Sequence, residues 1–147
     1  MTQFLLSTEF LLSFLRDPVS SAAAWYSQKS VPSMAVCCLS PAWIMAQANS
    51  NSIDPTSRAA WHSTIVGFRS VFARNRGKEL DLDVTSLLAW ATIYHLDLSD
   101  PDHGEIHPEE RLVLGQAISK SLVYVSPPRA WLSTLQTRTG LRIEAVA

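Results

Sequence analysis

Four short apolar runs, each closed by a turn signal, constrain this chain more than any other feature: residues 3–6, 33–39, 122–125 and 141–146. Short apolar runs bounded in this way read as buried strands. A weaker fifth run covers 80–82.

Helical patterns separate the runs. Residues 8–15 place Phe10, Leu11, Phe14 and Leu15 on one stripe, with Ser7 or Thr8 as cap and Glu9 in the electropositive first turn. Residues 19–28 and 41–48 follow, each near a proline that suits a helix start. The longest pattern, 55–74, carries Ala59, His62, Ile65, Val66, Arg69 and Phe72 near three-four spacing and stops at Asn75-Arg76-Gly77. Residues 84–95 and 109–120 complete the set. Buried strands alternating with helices imply parallel pairing, because parallel neighbours need helical crossovers that then cover both sheet faces. The expected fold is a three-layer α/β/α domain over 1–147, with a central, mainly parallel sheet of four to five strands.

The chain has 147 residues, of which 47% are hydrophobic, enough for one real core. A net charge of −1 removes the basic excess that marks bulk phosphate binding. With five glycines and no glycine-rich loop, the familiar nucleotide cradles are excluded. Ser7 lacks the glycine-flanked elbow of a strand-to-helix nucleophile. Adjacent Cys37 and Cys38 in an apolar run read as buried thiols of a reducing compartment. The apolar start lacks a basic leader and carries Glu9 and Arg16, and no segment offers about 18 uninterrupted apolar residues. A soluble, cytoplasmic protein without a membrane partner is expected.

The acidic stretch 95–107 holds three histidines and four acids, but Gly104 falls one place early for a calcium loop beginning at Asp100. It reads as a solvated loop joining two helices. Arg58, Arg69, Arg74, Arg76 and Lys78 cluster on and after the longest helix and could reach a phosphate backbone or an acidic partner. Arg129 with Trp131 could stack on a base, making RNA a possible ligand.

The opening FLLSTEFLLSFLRDP resembles the first strand and helix of VapC-type PIN domains, and VCCLSPAWIMAQA is similar to their second strand and helix. EERLVLGQAISKSLVYVS resembles the segment in which an acid opens a helix of small residues before a strand ending in Ser or Thr. PPRAWLSTLQTRTGLRIEAV resembles the closing loop, short helix and last strand. The likeness spans nearly the whole chain and rests on order of elements.

The resemblance implies a cleft where three or four carboxylates hold Mg²⁺ or Mn²⁺ for RNA hydrolysis. Here the first acid falls on Ser7 and the second on Trp43, which brings no oxygen. The third is retained as Glu110, and the fourth falls within 126–131, which has no acid. Glu110 also suits the first turn of its helix, as Glu9 does of its own. The resemblance therefore implies a catalytically impaired PIN-like protein of toxin–antitoxin lineage, without a cofactor. It would act as a homodimer or through an antitoxin-like peptide in the groove. Two rivals stand beside it: a divergent metal-dependent ribonuclease using Glu110 and Glu9 with Ser7 on a metal-bound water, and a structural subunit of a larger complex.

Overall fold

A computed structural model describes residues 1–50 and 54–147. Five strands form one sheet in the order β3-β2-β1-β6-β7, every pair parallel: β1 (Phe4–Leu6), β2 (Met34–Cys37), β3 (Lys78–Leu80), β6 (Val123–Ser126) and β7 (Ile143–Ala145). Between β3 and β6 lies a hairpin of two-residue strands, β4 (Ser99–Asp100) and β5 (Gly104–Glu105).

Successive side chains on a strand face opposite ways, and the sheet uses that to separate two cores. Phe4, Leu6, Met34, Val36, Val123 and Val125 point to a layer of α1 (Thr8–Arg16), α2 (Ser21–Gln28), α3 (Leu39–Ser50) and α4 (Pro55–Arg74). Leu5, Ala35, Cys37 and Tyr124 point the other way, into α5 (Val84–Ile93), α6 (Pro108–Ser119) and α7 (Leu132–Thr139). The expected α/β/α layering and parallel sheet are what the structure has.

Local chemistry sets the helix starts. Ser7, Ser20, Asp54 and Asp83 each accept a hydrogen bond from the backbone N–H three residues on. The cap at Ser20 starts α2 at Ser21 and leaves Val19, expected inside the helix, 88% exposed.

Three expectations need correction. β3 lies at Lys78–Leu80 rather than 80–82, because its ladder to β2 sets Ala35 opposite Lys78. Lys78 and Glu79 are exposed there, a charged edge strand that discourages further pairing. In α4, Ile65 and Phe72 are buried with Trp61 and Phe68 beside them, whereas Ala59, Val66 and Arg69 face outward. Aromatic bulk sets that stripe, and Arg69 reaches Glu79 of β3 through two hydrogen bonds. Finally, the stretch read as a solvated loop contains the hairpin, with Leu96, Leu98, Asp100 and Ile106 buried.

Among the described residues, no helix is long and apolar enough to cross a membrane.

Candidate functional site

Because all five strands are parallel, their carboxyl ends share one edge of the sheet. Chain connections run toward β2 and β3 on one side of β1, and toward β6 and β7 on the other. Open parallel sheets form their ligand crevice at such a switch point. A cavity of about 160 Å³ opens there, lined among others by Thr8, Glu9, Trp43, Glu110, Tyr124 and Arg129.

Glu110 enters the cavity from the first turn of α6 and is only 7% exposed. Its Oε1 accepts from the Tyr124 hydroxyl at 2.5 Å and from the Thr8 backbone N–H at 3.3 Å, while the buried Oε2 has no partner. Burial pushes its carboxyl up to about 7, against the pull of the Thr8 and Tyr124 hydrogen bonds. Glu110 does lie in the first turn of α6, and tertiary contacts from Tyr124 and Thr8 hold it as well. Below the cleft, Thr8 Oγ1 lies 2.8 Å from Ser40 Oγ, and both residues are buried. Burial pushes the neighbouring Cys37 thiol up to about 12, which leaves it protonated and inert at neutral pH.

Ser7 is buried, and its hydroxyl accepts the Phe10 N–H at 3.0 Å as the cap of α1. Trp43 is half-buried on α3, its ring centroid 5.1 Å from that of His107, and it forms part of the cavity wall. Glu9 also lines the cavity but is paired: its Oε2 lies 2.9 Å from Nη2 of Arg129.

Of the residues expected to contact RNA or a partner, only Arg129 and Trp131 reach the cavity. Trp131 is 5% exposed, its ring centroid 6.4 Å from that of Tyr124 and tilted 48° to it, so little of the ring is open to a base. Arg74 and Arg76 are exposed at the far end of α4 and do not line the cavity.

Sequence reasoning missed three contributors. Tyr124 had a signal, since a hydroxyl inside an otherwise apolar buried strand must find an acceptor. The other two, Thr8 and Asp100, had none. Asp100 accepts from the Ala130 N–H at 2.6 Å, the Asp102 N–H at 2.8 Å and the His103 N–H at 3.2 Å, which hold its carboxyl well below the usual range. It thereby ties the hairpin wall of the cavity, which includes His103, Gly104 and Glu105, to the loop bearing Arg129.

Mg²⁺ and Mn²⁺ require several oxygen donors around one point. Ser7 spends its hydroxyl on the helix cap, Trp43 has no oxygen, Glu9 is held by Arg129, and Glu110 is desolvated with Oε1 already engaged. Among the described residues no group of three His, Cys, Asp or Glu side chains is placed to hold an ion. The donor set does not fit such a metal.

The fold is a three-layer α/β/α, PIN-like architecture with a cleft at the carboxyl edge of a parallel sheet. Solved structures carry the comparison further. The chain matches one in DNA-bound VapBC from Salmonella typhimurium with a TM-score of 0.70 and 17% identity, covering 99% of this chain and 98% of that one. A chain of FitAcB from Neisseria gonorrhoeae gives 0.71 and 14%, covering 96% of each. VapBC2 from Rickettsia felis, bound to a fragment of its promoter DNA, gives 0.69 and 12%, covering 99% and 100%. No family model matches the sequence, and no curated protein does.

Proposed function

We propose that this chain is a single-domain, cytoplasmic PIN-type protein of toxin–antitoxin lineage whose groove binds a protein segment and does not cut RNA. The observation carrying this reading is Glu110, the one acid retained at the expected positions, which is buried against Tyr124 and Thr8 beside a tryptophan. A carboxylate used to activate water at a metal must be ionised and reachable. This one is buried with its carboxyl pushed up to about 7, and two of the other expected positions hold Ser7 and Trp43, which bring no carboxylate.

The groove has the shape for a peptide. The main cavity shares Leu12 and Trp43 with a second hollow lined by Ile44, Gln47 and Trp61, which shares Arg16 and Trp61 with a third at Leu15 and Thr64. Apolar and aromatic walls with a few polar points suit the apolar face of an amphipathic helix. The VapBC and FitAB assemblies are two-protein complexes by name, which favours a small protein partner here too.

Purification of the tagged chain from its host, followed by incubation of the free protein with RNA and Mn²⁺, tests the proposal. The expected outcome is a small stoichiometric partner and intact RNA. Cleavage that disappears in Glu110→Ala would establish the ribonuclease instead, and a large multi-subunit assembly would favour the structural role.

A further inference from the structure

The misfit between this cleft and a divalent ion has a positive counterpart. Three glutamates, Glu9, Glu109 and Glu110, line one small cavity, and like charges so gathered repel unless something offsets them. One cation is already built into that wall. Arg129 projects from the loop after β6, with its side chain 14% exposed. Its Nη2 meets Glu9 Oε2 at 2.9 Å, and its Nη1 donates to the Pro128 carbonyl at 2.6 Å, which fixes the guanidinium plane. Asp100, through the Ala130 N–H, anchors the adjoining residue of that loop. Few arginines on a loop are fastened at both the head group and the neighbouring backbone.

We propose that Arg129 is the resident cation of this cleft, a side-chain guanidinium paired with Glu9 on the wall that Glu110 shares, in the place that a divalent ion would otherwise take. The inference deepens the non-catalytic reading by naming what replaces the metal. It also explains why Glu9 survives without serving as a ligand: its oxygen is committed to Arg129. A guanidinium is always charged and cannot activate water, so it neutralises acids without supplying a nucleophile.

If Arg129 blocks the metal, removing it should create a metal site. Arg129→Ala frees Glu9 and removes a positive charge from the neighbourhood of Glu110, and Arg129→Gln keeps more of the packing should the alanine variant fold poorly. Thermal melting and calorimetric titration with Mn²⁺ supply readouts independent of activity. The wild-type protein is expected to show no Mn²⁺-dependent stabilisation at millimolar metal. Either variant should bind Mn²⁺ at least about tenfold more tightly, and adding Glu110→Gln should abolish the gain.

Folded Arg129 variants that still ignore Mn²⁺ would overturn the resident-cation role while leaving the peptide-binding reading intact. Submillimolar Mn²⁺ binding by the wild type would overturn it as well. Metal-dependent RNA cleavage by the wild type would remove both.

Discussion

At the scale of single residues, Glu110 dominates the chemistry of the cleft because its carboxyl is enclosed while Oε2 lacks a donor. Its folded value of about 7 lies above the ordinary 4.5. Below about 4.5 both folded and unfolded chains hold the proton, and between 4.5 and 7 only the folded chain does. Stability from this group is therefore complete at acid pH, declines as pH rises through that window, and levels off above it. The contribution is at most roughly 3 kcal/mol. Melting from pH 5 to pH 8 should show the decline in the wild type and lose most of it in Glu110→Gln. Asp100 acts oppositely, since its depressed carboxyl contributes stability above the ordinary carboxylate range that is lost on acidification below it. Asp100→Ala should lower the midpoint in denaturant titration and speed hydrogen exchange at the Ala130 amide. Ser7, Trp43 and Glu110 were placed near the cleft by the family resemblance, whereas Asp100 was not legible: its role depends on a hydrogen bond to Ala130, a partner thirty positions away that no local spacing announces.

At the scale of elements, α5 and α6 form the tightest contact between helices, and Gly115 permits it. A Cβ there would stand 2.6 Å from the Ser86 carbonyl oxygen and 2.8 Å from the Trp90 nitrogen, both backbone atoms that yield only if the helices part. Gly115→Ala should cost about 2–4 kcal/mol by chemical denaturation. The glycine sits inside a helix, where propensity alone disfavours it. Strands and helices were largely legible because continuous apolar runs and cap-plus-period patterns are local signals. The hairpin was not: β4 and β5 are two residues each, too short for any period, and tertiary burial of Leu98 and Ile106 defines them. The stripe of α4 was misread for a related reason, since three-four spacing supports more than one face and contact with the sheet layer selects the one bearing Trp61 and Phe68.

At the scale of the whole molecule, α5 presents outward a row of Val84, Leu87, Leu88 and Tyr94, exposed by 69, 44, 64 and 66%. Not one residue of Val84–Ile93 is charged. A two-fold interface places each residue near its own copy, so an uncharged apolar row meets itself without repulsion. The homodimer implied by the family resemblance could use this face, which sedimentation tests directly. Leu88→Lys should convert a dimer to a monomer in sedimentation while leaving the melting curve at low concentration nearly unchanged. A wild type that sediments as a monomer at high concentration would remove this assignment.

The strand order has a consequence for synthesis. Strand β1 is made well before β6, so Phe4 must wait for Val123 before its second edge is covered. At ordinary ribosomal speeds that wait lasts on the order of ten seconds. Throughout it the nascent chain carries an apolar strand half-paired, a target for chaperones and for unwanted pairing with neighbouring nascent chains. β1 thus stays open on one edge until β6 is made, and β6 in turn until β7.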